Sequence, residues 1–452
     1  MCLFHVVVTD RSAAHRLHVG GAAAGAFSDR PPSVVPSAVL SRRRHYNINS
    51  APYGPLWRAM RRNLTSELFH PSRLRLYAPA RHRALGDLVA DLDRQRSASS
   101  AAGGGVVPAA ESLRAAMFGL MSTMCFGGGV DSELVKAMAD AQDDLVQCFL
   151  GLRVFATLPA ITGLIFRHRW RKLVDLRQQQ EEMYLPLIDA RRRDRRPDRS
   201  RDGEPPAYVD TLVDLRVPDE HAIGDGRSSD RRMKRRRKLN DGELVGLCSE
   251  FVGAGTEPAA AVLQWIMANL VKRPDEIDAA VDADAGEVGD EVVARLQYLN
   301  AVIMEGLRLH PTVPMVFRQV MAGDHVVVDG RRLPAGTAVL FPLDILAQDK
   351  TAWADPLELR PERFMTGGEG EGVSLVAAAG SAGEMRMMPF GTGRLHLAYF
   401  VANLVREFEW MEADGDHAVD LRPHVGFFTV MQRPLRARLV RRRRQANPLG
   451  WD

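Results

Sequence analysis

Apolar residues along most of this chain recur at three- and four-residue intervals, the repeat of helices that bury one face. The clearest case opens at Asn240, with Glu243 placed to complete a capping box. Leu244, Leu247, Cys248 and Phe251 follow at helical spacing, and the pattern persists to about Val271, with Pro274 beyond it. At 1.5 Å per residue this predicts a helix of about 50 Å, a length that crosses the middle of a large all-helical domain. A second helix is predicted over Asp290–Leu309, with Leu296, Leu299, Val302, Ile303 and Leu307 on its apolar face and Pro311 ending it. A third is predicted over Leu397–Trp410, led by Leu397, Val401, Leu404, Val405 and Phe408. Strand-like runs are few. Val6, Val7 and Val8 form one, and Val326–Val328 and Ala338–Phe341 form two more, with Asp329-Gly330 between them as a hairpin-type turn. The expectation is a mainly α fold with a small β part, as one domain over residues 1–452. Three segments are expected to be without structure: Ser97–Gly105, Arg191–Lys238 and Thr366–Gly383.

Composition narrows the class without deciding it. The 452 residues are 46% hydrophobic and 26% charged, ordinary for a globular protein, with a net charge of +4. The basic runs Arg191–Arg201, Arg231–Lys238 and Arg441–Arg444 read as solvated loops, so no nucleic-acid partner is expected. The four cysteines, Cys2, Cys125, Cys148 and Cys248, have neither metal-site spacing nor the density of a disulfide framework, which suits a reducing compartment. No run of 18 apolar residues predicts a membrane-spanning helix, and the first ten residues make a poor signal peptide.

Glu305 and Arg308 lie three apart and share a helix face; alone, such a pair is worth about 0.2–0.5 kcal/mol. Downstream, Asp355-Pro-Leu-Glu-Leu-Arg-Pro361-Glu362-Arg363-Phe364 offers a second arginine that would turn the pair into a buried network.

At this point the ordered landmarks resemble those of the cytochrome P-450 family, most closely its plant microsomal members. They are Glu305-Gly-Leu-Arg308-Leu-His-Pro311, Pro361-Glu-Arg-Phe364 and Met388-Pro-Phe390-Gly-Thr-Gly393-Arg394. Ser249-Glu-Phe-Val-Gly-Ala-Gly-Thr-Glu257 is similar to the family's oxygen-binding helix, and Ala51-Pro-Tyr-Gly-Pro-Leu-Trp57-Arg-Ala-Met-Arg61 to its helix C. The resemblance implies the cytochrome P-450 fold and a haem cofactor. It implies that Trp57, Arg61 and Arg318 hold haem propionates, and that Phe390, Gly391, Gly393 and Arg394 belong to the haem-binding loop. Glu305, Arg308 and Arg363 would be a structural triad, and Glu257 a catalytic residue aiding proton delivery to bound oxygen. Partners implied are an NADPH-dependent cytochrome reductase and a small apolar organic substrate, at the cytosolic face of the endoplasmic reticulum membrane. Ala254, Phe251 and Val313 are pocket liners by position.

The chain also departs from the family. Members carry F-x-x-G-x-R-x-C-x-G, whose cysteine thiolate binds iron. Here Phe390-Gly-Thr-Gly-Arg394 runs directly into Leu395-His-Leu-Ala-Tyr-Phe, which resembles the middle of the family's next helix, and no cysteine follows Cys248. By motif spacing about ten residues are missing. His396 lies one position short of the cysteine's place; it reads as the next helix's own histidine rather than a substitute ligand, so no metal ligand is assigned. Pro258 stands where the family has threonine, removing a helix N–H and kinking the helix. The chain begins near the first strands, without the family's anchor helix, so membrane association would be peripheral, or the location cytoplasmic. The expectation is a haem-thiolate monooxygenase by family that is inactive as written, with weak porphyrin binding. The alternative is a non-enzymatic relic or scaffold.

Overall fold

Asn240 caps the longest helix, Asp241–Val271, and its side chain and that of Glu243 each accept the other's backbone N–H. The computed structural model describes residues 5–18, 24–31, 46–101, 105–149, 151, 154–155, 159–193, 206–219, 236–276, 288–321, 325–328, 330–373, 386–387 and 393–442. Leu244, Leu247, Val252, Leu263, Trp265 and Leu270 are buried at all azimuths of this central helix, as expected of one surrounded by other helices. Its principal partner is the Ala109–Phe126 helix, which ends where Gly127 takes a φ of +88°. The Arg167–Arg193, Tyr208–Asp214, Gln297–Leu309 and Arg394–Glu407 helices complete the surround, while the Ala78–Ala101 helix packs on Ala109–Phe126 and the Ser132–Phe149 helix on Arg167–Arg193. Pro55 and Pro71 occupy the first turns of the Pro55–Glu67 and Pro71–Leu76 helices, where a missing N–H is harmless.

The β part is small and peripheral. Ala338–Pro342 is a middle strand, parallel to His5–Val7 and antiparallel to Met315–Gln319, with Val6 opposite Val339 and Arg318 opposite the same residue. An isolated antiparallel bridge between Asp29 and Gln319 ties the Asp29-Arg30 segment to this sheet. A second sheet has Arg436–Arg441 between Val106–Pro108 and Phe408–Met411. The fold is therefore mainly helical with a small sheet part.

The structure corrects several expectations. The turn at Gly330 (φ +76°) joins His325–Val328 to Arg331–Pro334 and not to Ala338–Phe341. The true partner strand, Arg-Arg-Leu-Pro, has no apolar run to announce it. The third helix is Arg394–Glu407, and Phe408–Met411 is a strand whose buried Phe408 and Trp410 alternate with exposed Glu409. The second helix divides at Leu296 into Asp290–Arg295 and Gln297–Leu309. Residues 97–101 of the first segment expected to lack structure complete the Ala78–Ala101 helix.

Within the second such segment, Arg191–Arg193 end a helix, Tyr208–Asp214 form another, and Arg216–Pro218 pairs with Arg236–Lys238. Its arginines are used structurally: Arg191 pairs with Asp210, and Arg237 grips Glu243 through two 2.7 Å bonds. Residues 366–373 of the third form turns. Pro258 does not interrupt the central helix, which runs through it. The remainder of these three segments lies outside the described residues, as do Arg231–Arg235 and Arg443–Arg444 of the basic runs.

Candidate functional site

Glu305 sits at the centre of a buried network and is fully inaccessible, as is Arg308. Arg308 donates Nε to Oε2 at 2.7 Å and Nη2 to Oε1 at 2.8 Å, a bidentate pair, while its Nη1 donates to the Ala347 carbonyl at 3.0 Å. Arg363 adds Nε to Oε1 of Glu305 at 3.2 Å, Nη2 to the Asp355 carbonyl at 2.8 Å and Nη1 to Glu369 at 2.7 Å. The Arg360 backbone N–H donates to the same Glu305 at 3.0 Å. Trp353 roofs the network, with Arg308 5.2 Å from its ring centroid. Asp355 adopts φ +45°, a left-handed conformation that Asp tolerates better than most residues, and its carbonyl meets Arg363. Two charged side chains and a segment more than 50 residues away are thereby locked together without a free charge.

A second constellation gathers beside the central helix. Glu250, half-buried, accepts the backbone N–H groups of Ile48 at 2.8 Å and Asn49 at 2.6 Å. Burial pushes its carboxyl up to about 7 against the opposing pull of those N–H groups, Arg30 and Arg61. The Ile48 carbonyl accepts the Trp57 indole N–H at 3.1 Å, and the Arg30 guanidinium lies 4.9 Å over the Trp57 ring. Trp57 therefore spends its one donor on Ile48, and its ring supports Arg30. Arg30 is shifted down by burial and by Arg61, and its Nη1 is buried without a hydrogen-bond partner among the described residues. Arg318, from the Met315–Gln319 strand, is pushed down to about 10 by burial and by Arg30. Arg61 is exposed at the rim.

Sequence reasoning missed Arg30 and Glu250. The Asp29-Arg30 dipeptide before Pro31 was a visible signal for the first; for the second there was none, since its partners lie some 200 residues away.

Between these constellations the central helix has a window. Ala254 is exposed, and Gly255, Glu257, Pro258 and Ala259 are half-buried, in a helix otherwise sunk in the core. Glu257 is held by Arg114 of the Ala109–Phe126 helix, which donates Nε at 2.9 Å and approaches with Nη2 at 2.7 Å; Arg114 also reaches Asp143 at 3.4 Å. Phe251 points elsewhere: it packs on Tyr208 and Phe69 and is no liner of this window.

The resemblance implies haem, and its two requirements fare differently. The carboxylate-holding half fits. Arg30, shifted down by burial and Arg61 despite Glu250 and Asp29, lies near Arg318, shifted down by burial and Arg30, and one Arg30 guanidinium nitrogen has no hydrogen-bond partner among the described residues, a set of cations able to hold carboxylates. The iron-donor half does not fit. Phe390 and Gly391 lie outside the described residues; Gly393 caps the Arg394–Glu407 helix, and Arg394 is exposed. Cys125 and Cys248 are buried against one another, which pushes the Cys125 thiol up, away from the thiolate form a metal needs. His396 is buried beside Arg81, and desolvation and that charge push it down to about 3. Arg81 is itself bonded to Asp290 and the Leu74 carbonyl. No metal-ligating cluster of His, Cys, Asp or Glu occurs among the described residues.

The comparisons agree with this architecture. The family model for cytochrome P450 matches residues 4–437. Cytochrome P450 89A9 of Arabidopsis thaliana is 35% identical over 97% of this chain and 84% of its own length. Flavonoid 3'-monooxygenase CYP75B3 of Oryza sativa subsp. japonica is 28% identical over 90% and 77%. Among solved structures, a zebra fish cytochrome P450 with progesterone superposes with a TM-score of 0.73 at 20% identity, covering 97% of this chain and 94% of that one. Fold, ordered landmarks and relatives converge: this chain belongs to the cytochrome P450 monooxygenase family, in its plant branch.

Proposed function

We propose that this chain keeps the scaffold and the anion-holding half of a haem-thiolate monooxygenase but, as written, does not insert oxygen. The observation that carries this reading is the passage from Gly393-Arg394 directly into the Arg394–Glu407 helix, with no cysteine after Cys248. An intact relative supplies oxygen-activating chemistry through its haem, with the protein placing the group and setting its electrostatics. In this chain Arg30, Arg61 and Arg318 would hold the carboxylates of a porphyrin, while the Glu305 network fixes the 355–369 segment to the Gln297–Leu309 helix. Glu257 would enter proton traffic only after parting from Arg114. His396 is not assigned as a substitute for the missing sulfur: its ring is buried within the Arg394–Glu407 helix packing, and no His, Cys, Asp or Glu cluster that could hold a metal occurs among the described residues.

The family relationship supports a small apolar organic substrate, an NADPH-dependent reductase as electron donor and a place at the endoplasmic reticulum. No helix among the described residues is long and apolar enough to cross a membrane. The test is spectroscopic. Purified protein, reconstituted with haem, reduced and exposed to CO, is expected to lack the Soret band of a thiolate-ligated iron; a clear band of that type overturns the reading. Genomic DNA at the Arg394 codon gives an independent check. An in-frame cysteine-bearing segment there would mean that the protein made in cells is the active enzyme.

A further inference from the structure

We propose that Glu250 is the resident counter-charge of the cluster formed by Arg30, Arg61 and Arg318, and that it takes up a proton from water when an organic carboxylate enters that cluster. This deepens the reading of the cluster as the holder of porphyrin carboxylates and rests on it. Glu250 belongs to a continuous chain of contacts. Its Oε2 and Oε1 accept the backbone N–H groups of Ile48 and Asn49, the Ile48 carbonyl accepts the Trp57 indole N–H, and the Trp57 ring carries the Arg30 guanidinium. Arg30 and Arg61 attract Glu250 across space, but neither forms a direct ion pair with it among the described residues. One Arg30 guanidinium nitrogen is buried and has no partner among the described residues, so the cluster keeps a donor for an incoming anion.

The charged and titratable groups around Glu250 come from three elements. Arg30 lies in the segment before Pro31, Arg61 on the Pro55–Glu67 helix and Tyr208 on the Tyr208–Asp214 helix; Asp29 and Arg318 act on Arg30. Burial keeps Tyr208 neutral, and the arginines stay charged. Glu250, lifted by burial to about 7, is the one among these that titrates near neutrality. An incoming carboxylate sets a second negative charge in this half-buried place and favours the protonated form of Glu250. A proton from water then joins one Glu250 oxygen, and no other covalent bond forms or breaks. Above about pH 7 the free Glu250 is ionised and binding needs that proton, so affinity falls as pH rises. Below about pH 6 the proton is already in place, and binding is indifferent to pH.

The probe is metal-free mesoporphyrin IX, which carries two carboxylates and no iron, with its dimethyl ester as the uncharged counterpart. Dissociation constants are read from porphyrin fluorescence between about pH 6.5 and 8.5, for the wild type and for Glu250→Gln, which cannot titrate. The wild-type constant for the diacid is expected to rise about 5–20-fold over this range, and that of Glu250→Gln less than about twofold. Calorimetry of the wild type near pH 7.5 in two buffers of different ionisation enthalpy needs no variant. It should count roughly half a proton taken up per diacid and none per ester. If the diacid binds more tightly than the ester but no proton is taken up, or Glu250→Gln keeps the wild-type slope, the inference fails while the cluster still holds carboxylates. If diacid and ester bind equally, or neither binds, the reading of the cluster fails and the inference with it.

Discussion

At the scale of single residues, the Glu305 network concentrates the risk. A carboxylate with two guanidinium partners and no exposure is stable only while the set is complete, since each lost partner leaves a charge stranded away from water. Glu305→Ala strands Arg308 and Arg363 together and is expected to lower stability by about 3–5 kcal/mol, read as a urea midpoint. Arg363→Lys keeps the charge but cannot span Glu305, Glu369 and the Asp355 carbonyl at once, so a measurable loss is expected there too. Two landmarks in the sequence announced the three residues. What they did not announce was Glu369, Trp353 and the left-handed Asp355, because nothing local marks a residue as the support of a distant one.

Elements are governed by where backbone groups find partners. The central helix begins at Asn240 because that side chain satisfies an N–H which would otherwise be orphaned. Asn240→Ala is expected to cost about 0.5–2 kcal/mol. Pro258→Ala is expected to act in the opposite direction, raising the thermal midpoint, since proline is about 3 kcal/mol less favourable than alanine inside a helix. Close packing sets a further limit at Gly306, where an added Cβ would lie 2.5 Å from Ile266 of the central helix. Gly306→Ala should therefore destabilise by about 1–3 kcal/mol, measured by chemical denaturation. Periodicity located the long helices well. It failed at Phe408–Trp410: Phe408 continues the helical face three and four residues after Val405 and Leu404, but Phe408 and Trp410 are two apart, a strand spacing that becomes a strand because Arg436–Arg441 pairs with it.

For the molecule as a whole, stability against pH is a sum over buried groups. His396 is held near 3 in the folded protein against about 6.5 in the free side chain. Below pH 6.5 the unfolded chain takes up a proton that the folded one refuses, so this group makes stability fall with pH at up to about 1.4 kcal/mol per unit. Half-buried His310, also near 3 and stacked on Trp265, acts in the same direction with a smaller weight. Glu250, raised to about 7, does the reverse: the folded state binds its proton first, so stability falls as pH rises from 4.5 towards 7. A His396→Gln variant isolates the first effect. Its urea midpoint should fall less between pH 7 and 5 than that of the wild type, and identical slopes would show that His396 is reached by water.

The sequence by itself determined the helical class, the central helix with its cap, the order of the landmarks and the absence of a cysteine after Cys248. These are properties of neighbours along the chain: periodicity, capping and motif spacing act over a few residues. Tertiary structure alone decided that Arg30 stacks on Trp57 and leaves a nitrogen unpaired among the described residues, that Glu250 holds the turn at Ile48, and that Arg114 restrains Glu257. Each of these depends on burial and on partners drawn from distant parts of the chain, and the strength of a charge or a hydrogen bond is fixed by its surroundings rather than by its position in the sequence.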